Sequence, residues 1–325
     1  MTSGTTRSLR GTVPTLRANP EEGGYRGCRH AGLSAPHYIG GVTDNIDVRT
    51  PRIALSTSSV YPETTSSAFE LAGRLGYDGI ELMVGIDPVS TDIDAVEKLR
   101  DYHELPVVSV HAPCLLISQR TWGTDNWAKL ERSAAAAKQL DADVVVVHPP
   151  FRWQRDYARD FVPKLRDLTD RTGVRFCLEN MYPWRMRGTE LKAYLPEWDP
   201  TQLAYDDLTL DFSHASTAGQ QSLELAKSWG DRLGHVHLTD GTGSMKDEHL
   251  VPGRGDQHAD RTLQYLAGTG YSGHVVLEVN SRRSATRAQR EIDLAESLAF
   301  ARLHLEAGTA RTSYQVDSTG VASHT

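Results

Sequence analysis

From Pro51 onward, short apolar runs alternate with longer stretches in which apolar residues return every three or four positions. The runs at Ile53–Leu55, Gly79–Met83, 106–111, 143–148, 174–179, 207–212, 234–238 and 274–279 predict strands. The stretches at 65–75, 91–103, 124–140, 157–172, 188–194, 217–229, 258–268 and 286–306 predict helices. Val144 to Val147 is an unbroken β-branched run, as expected of a strand covered on both faces. In 124–140, Trp127, Leu130, Ala134, Ala137 and Leu140 fall on one helical stripe that can lie on a sheet. Gly76, Gly173, Gly234 and Gly273 each stand just before a strand, where a helix C-cap is expected. Strict strand–helix alternation implies a parallel sheet. Eight such units favour a closed α/β barrel, (β/α)8, over an open doubly wound sheet. No G-x-G-x-x-G or Walker-type loop is present to suggest a nucleotide fold.

The chain has 325 residues, and a barrel of about 250 residues fits inside that length. Residues 1–50 are rich in Gly, Thr, Arg and Pro without periodicity and read as a disordered N-terminal extension. The barrel is expected over 51–308, and 309–325 reads as a flexible polar C-terminal tail. A net charge of −7 gives no sign of a general nucleic-acid binder. Cys28, Cys114 and Cys177 are too few and too scattered for a disulfide framework or a thiolate zinc site. With no apolar stretch of about 18 residues, the expectation is a cytoplasmic protein that does not span a membrane.

The chemistry gathers at the C-terminal ends of the strands, the face where such barrels place their active sites. His111, His148, Glu179, Asp211, His214, His237, Asp247, His249 and Glu278 all end strands or begin the loops that follow. Five are His and four are carboxylates, a ligand set suited to Zn, Mn, Co or Mg ions. One buried His at a strand end is readily explained by packing. Six consecutive strand ends with the same habit are not, because uncompensated carboxylates in one mouth repel unless cations sit among them. His235 points to the same face as His237, two residues away, but one layer deeper. Asp240 is placed to brace the loop after His237.

The strings HAPC at 111–114, LEN at 178–180, the D-x-x-H of Asp211 and His214, HVHLTD at 235–240, HLVPGRGD at 249–256 and LEVN at 277–280 resemble one family. From about Arg52 to His304 the chain looks like the xylose isomerase-like TIM barrels, the AP endonuclease family 2 superfamily. By that resemblance Glu179, Asp211, His237 and Glu278 hold one metal. Glu179 and Glu278 exchange a proton beside a sugar carbonyl, and His214 binds substrate oxygens. The resemblance thus implies a metal-dependent isomerase or epimerase acting on a sugar or sugar phosphate. Glu81 matches a position where sugar-handling members often carry Glu; the other reading is a capping or ion-paired acid at the rim.

The alternative is a trinuclear-zinc phosphoesterase resembling endonuclease IV. There His111 and His148 join Glu179 on one ion, and His214, Asp247 and His249 hold a third. Three departures weigh against DNA repair. The first strand lacks the expected His, Cys114 replaces a bulky aromatic, and cations are sparse in several mouth loops, though Arg152, Arg155, Arg185 and Arg187 cluster after the fourth and fifth strands. A third class, a non-catalytic sugar- or metal-binding barrel, is disfavoured by the paired glutamates.

Around the mouth, Arg282 and Arg283 can grip a substrate phosphate or cap helix ends. Arg254, beside the third-ion segment, can meet an anionic substrate or stay solvated. Trp153 and Trp184 can stack on a sugar or pack loops against each other or a second subunit. The expected partners are therefore a small-molecule sugar, nucleic acid only under the alternative, and a second copy in a homo-oligomer. One to three divalent ions are expected.

Overall fold

A computed structural model of the chain describes residues 51–186 and 189–319, and of Met186, Arg283 and 311–319 the backbone only. The expected N-terminal extension lies outside the described residues.

The eight strands expected from the apolar runs all form. They are β1 (Ile53–Ser56), β2 (Gly79–Met83), β3 (Val107–His111), β4 (Val144–Val147), β5 (Arg175–Glu179), β8 (Leu208–Asp211), β9 (Leu233–Leu238) and β10 (His274–Leu277), with the pair β6 (Trp184–Met186) and β7 (Thr189–Leu191) inserted between β5 and β8. Every barrel pairing is parallel, and the barrel closes as β1-β10-β9-β8-β5-β4-β3-β2. This is the (β/α)8 TIM barrel. Val144 to Val147 are all fully buried, as their β-branched run requires. One large apolar core lies between strands and helices, with Phe69, Phe161, Phe176 and Phe212 among its largest members. Val144, Val146 and Cys177, and separately Ala54, Val108 and Val276, form small apolar clusters of their own.

Side-chain caps fix several helix starts. Thr64, Asp92 and Asp125 accept backbone N–H groups at the beginnings of helices Thr65–Leu75, Ile93–His103 and Asn126–Gln139. Gly76 and Gly173 end their helices in the left-handed conformation, as expected. Gly234 and Gly273 do not. Gly234 lies within β9, and a Cβ on Gly273 would fall 2.3 Å from the Gly234 carbonyl oxygen. These two glycines permit close backbone approach.

Two other expectations are corrected. The helix expected at 188–194 is the antiparallel pair β6–β7 instead. Trp184 and Tyr194 pack there against Phe151 and Met181, so tertiary packing overrides the local pattern. The last helix runs from Arg287 to Thr319, well past 306, and so enters the segment expected to be a flexible tail. Its early turns carry Leu294, Leu298, Ala301 and Leu305 into the core. Among the described residues, no helix is long and apolar enough to cross a membrane.

Candidate metal centre

Strand register decides what meets in the barrel mouth. Asp211 on β8 stands beside His237 on β9, and His237 stands beside Val276 on β10. One layer deeper, Glu81 on β2 pairs with Ser109 on β3, and Thr209 on β8 pairs with His235 on β9. The two-residue side-chain period therefore separates an upper ligand layer from a lower polar layer.

In the upper layer, one ligand atom each from Glu179, Asp211, His237 and Glu278 lie within 4.8 Å of one another. His237 is the hub. Its Nδ1 is 3.1 Å from Glu179 Oε1, 2.9 Å from Glu278 Oε2 and 3.7 Å from Asp211 Oδ2. Two flanking groups have the same compactness: His111, His148 and Glu179, and Asp211, His214 and His249. Glu179 Oε2 is 3.3 Å from His111 Nε2 and 2.9 Å from His148 Nε2. Asp247 belongs to the far edge, 3.0 Å from His249 Nε2 and 3.5 Å from His214 Nε2. All nine expected ligands thus fall in one contiguous site.

The electrostatics are those of a crowded acid–base cluster. Burial pushes the Glu179 carboxyl up, but the His237, His148 and His214 imidazoles together hold it well below the usual carboxylate range. Glu278 is lowered less, by His237 against the same burial. Burial leaves Asp211 raised. Burial opposes protonation of His237, yet Glu81, Glu278 and Glu179 push it well above 6.5. His249, against its own burial, is carried by Asp247 and Asp211 to about 10. Protons on histidines thus act as the cluster's counter-charges. The donor set fits a divalent cation on a second count: Asp211 Oδ2 is buried without a hydrogen-bond partner, an orphan that a cation would satisfy.

Neighbouring side chains hold the ligands in place. Asn180 locks Asp211 by donating from Nδ2 to its carbonyl at 3.0 Å and accepting its N–H at 2.7 Å. Ser213 donates to Asp247 Oδ1 at 2.7 Å, and Ser58 to Glu278 Oε1 at 3.1 Å. Asp240 accepts N–H groups from Gly241, Gly253 and Gln257, tying the HLVPGRGD loop to the end of β9. Sequence reading missed Asn180, Ser213 and Ser58 as supports. For the first two the signal was adjacency, in LEN and in D-F-S-H; for Ser58 there was none, since its partner is 220 residues away.

The expected substrate-contacting residues divide. Glu81 is not at the rim. It is fully buried in the lower layer, with Oε2 2.9 Å from His235 Nε2, 2.8 Å from Ser109 Oγ and Oε1 3.1 Å from His237 Nε2. It therefore meets His237 from the layer beneath. Arg254 pairs with Glu296 at 2.6 Å and Asp293 at 3.1 Å on the last helix, which takes its charge away from the mouth. Arg282 lies over the Tyr61 ring at 4.5 Å. The Arg283 side chain lies outside the description. Trp153 is 55% exposed and stacks flat on Phe151, 4.6 Å away, with Trp184 and Tyr194 alongside; together they wall the mouth after β4 and β5. Of the nearby cations, Arg185 pairs with Glu190 and Arg152 lies 3.9 Å from Glu197.

A protein of Mycobacterium tuberculosis that carries no functional name is 50% identical over 273 residues, covering 78% of this chain and 98% of that protein. Fructoselysine 3-epimerase of Escherichia coli O157:H7 is 20% identical over 238 residues, 65% of this chain and 84% of the epimerase. Among solved structures, a D-tagatose 3-epimerase-like protein superposes with a TM-score of 0.57 at 23% identity, over 77% of this chain and 98% of that one. Residues 69–304 match the family described as Xylose isomerase-like TIM barrel. With that match over most of its length, the chain belongs to the xylose isomerase-like TIM barrel family.

Proposed function

We propose that the protein is a divalent-metal-dependent sugar isomerase or epimerase. The observation that carries this reading is the pair of glutamates, Glu179 from β5 and Glu278 after β10, whose carboxylates both come within 3.1 Å of His237 Nδ1. The similarity to fructoselysine 3-epimerase and to the D-tagatose 3-epimerase-like structure supports it.

Glu179, Asp211, His237 and Glu278 are the residues that would hold the cation. Polarisation of a substrate carbonyl and its neighbouring hydroxyl is the chemistry such a cation supplies when bound. One glutamate, ionised, takes the proton from the carbon beside the carbonyl. The C–H electron pair passes into the enolate. The other glutamic acid, protonated at the start, returns a proton to the same carbon from the opposite face for epimerisation. The two glutamates end with exchanged protonation states, so atoms and charge balance. His214, steadied by the Asn180 carbonyl at 2.8 Å, would meet substrate oxygens. Trp153 and Trp184 offer an aromatic wall against a sugar ring.

The test is turnover of a panel of ketoses and aldoses in D2O with Mn, Co, Mg or Zn added. The expected result is deuterium at the carbon beside the carbonyl and loss of that exchange in both Glu179→Gln and Glu278→Gln. Exchange that survives both substitutions would sink the reading.

A second reading has its own observation. The flanking groups His111–His148–Glu179 and Asp211–His214–His249, with Asp247 at the edge, supply ligands for three ions. That count suits a trinuclear phosphoesterase. Elemental analysis of protein purified without chelator separates the two: about one ion per chain favours the epimerase, and about three with cleavage of abasic-site DNA or a small phosphoester favours the hydrolase.

A further inference from the structure

Three of the four residues that would hold the cation are fixed by the strand ladder. Glu179 pairs with Thr209 between β5 and β8, and Asp211 pairs with His237 between β8 and β9. Glu278 is different. β10 ends at Leu277, and the Glu278 N–H meets the Leu238 carbonyl across 3.4 Å, a weak contact. Its carboxylate accepts from Ser58, but its backbone stands past the register that places the other three.

The segment Asp247–His249 holds that backbone. His249 grips it twice. Its carbonyl accepts the Asn280 N–H at 2.7 Å, and its Nδ1 donates to the Glu278 carbonyl at 2.6 Å. The second bond exists in both charge states of the ring, because a carbonyl oxygen only accepts. His249 itself sits in the left-handed region at φ +45°, a conformation that a non-glycine residue keeps only where its surroundings impose it.

Ser213 imposes it. This residue lies in the helix Phe212–Thr217 directly after β8 and is fully buried. Its Oγ accepts the N–H groups of Glu248 at 3.0 Å and His249 at 2.9 Å, and donates to Asp247 Oδ1 at 2.7 Å. One donor and two acceptor sites are thereby all used. Its own N–H is held by Thr239 Oγ1 at 2.8 Å, just past β9. Leu250 exchanges two backbone hydrogen bonds with Asp240, which ties the segment down on its other side.

We propose that Ser213 is a positioning residue for Glu278: through Asp247–His249 it sets the backbone from which that carboxylate reaches into the metal centre. This rests on the reading above, in which Glu278 is one of four ligands around one cation. Loss of the hydroxyl leaves two buried N–H groups without their acceptor and the left-handed turn at His249 without its support.

The experiment measures affinity for the first zinc equivalent by chelator competition in native protein, Ser213→Ala, Glu278→Gln and the double variant, with circular dichroism as the check on folding. Ser213→Ala should weaken zinc binding about tenfold, the lower end of the range for supports of a ligand. In the Glu278→Gln background the same change should cost less than about twofold, since the carboxylate it places is already gone. Equal losses in both backgrounds overturn the proposal, because Ser213 would then act on the fold at large or on Asp247 alone. Native affinity in Ser213→Ala overturns it too.

A second pair of variants decides the matter if Ser213→Ala fails to fold. His249→Asn keeps an N–H donor close to the place of Nδ1 and tolerates the left-handed backbone, whereas His249→Gln carries its amide toward the place of Nε2. A clamp on Glu278 predicts tighter zinc binding in His249→Asn. A role confined to ligation through Nε2 predicts the reverse order, and that order overturns the proposal. Zinc affinity is read without turnover. The predicted losses in a protein that acts on no sugar would defeat the proposed function and leave the clamp standing; sugar turnover with additive losses would do the opposite.

Discussion

Replacing Glu81 by Gln tests whether the lower polar layer governs the metal centre. In the native barrel three donors meet Glu81 Oε2: Ser109 Oγ at 2.8 Å, His235 Nε2 at 2.9 Å and His237 Nε2 at 3.3 Å, the last also lying 3.1 Å from Oε1. His235 is neutral at pH 7, since burial pulls it down to about 4, and must spend its Nε2–H on Glu81. A carboxylate accepts from all three. A Gln amide has one acceptor oxygen and two N–H donors, so even with its oxygen in the Oε2 place its NH2 group falls where Oε1 lies 3.1 Å from His237 Nε2, donor against donor. The Nε2–H of His237 loses its anionic partner, and with it the force that keeps Nδ1 turned toward Glu179, Asp211 and Glu278. Losses of this kind cost about 10–100-fold in metal affinity, about 1.4–2.7 kcal/mol. The assay is competition of zinc or manganese against a fluorescent chelator, with circular dichroism as the check on folding. A folded Glu81→Gln protein that binds metal within about twofold of the native chain would refute the reasoning, because the network would then be packing and nothing more.

Other expectations follow from the same geometry. Glu278→Gln and Glu179→Gln should each lower the rate of proton exchange at the substrate carbon by about 10²–10⁴-fold while the thermal melt of the metal-loaded protein persists; exchange at the native rate would remove both from the chemistry. His214, His237 and His249 all titrate above 6.5 when no metal is bound, His249 at about 10. Their folded pKa values exceed the unfolded one, so the stability they give chelator-treated protein is complete below about pH 6.5 and is lost as pH rises toward 10. Cation binding must displace the His237 proton, so metal affinity should rise with pH, with proton release visible to an indicator dye in weak buffer; pH-independent affinity between 6 and 9 would contradict this. Phe176→Ala, at a fully buried β5 position, should cost about 3–5 kcal/mol in a denaturant titration. Gly253 has φ +87° and its Cβ would lie 2.8 Å from Phe300, so Gly253→Ala should lower the melting temperature and loosen the loop that Asp240 anchors.

How much of this was legible beforehand differs from element to element. The eight barrel strands were readable because a parallel strand covered on both faces must be apolar along its whole length, and Val144–Val147 shows that without context. The pair β6–β7 was not readable. Trp184 packs on Phe151, Met181 and Tyr194, and the exposed Thr189–Leu191 pair across to it, so local spacing carried no signal of it. Gly234 and Gly273 looked like helix caps because both precede strands, and only the approach of two backbones shows why glycine stands there. The nine candidate ligand positions were readable because each ends a strand run or lies in the segment that follows one, and these ends of a closed parallel barrel share one mouth.

The sequence alone therefore determined the barrel, the face on which the candidate ligands gather and which residues belong to that cluster. These follow from a side-chain period of two and from one-directional strands, both written locally in the chain. Tertiary structure alone decided depth and partnership. It put Glu81 under His237 instead of at the rim and gave Arg254 to the acids of the last helix. It also turned His237 Nδ1 toward the carboxylates and left His148 Nδ1 without a hydrogen-bond partner. Those outcomes depend on strand register and on contacts such as Glu81 with His235, 154 residues apart, which no local pattern encodes.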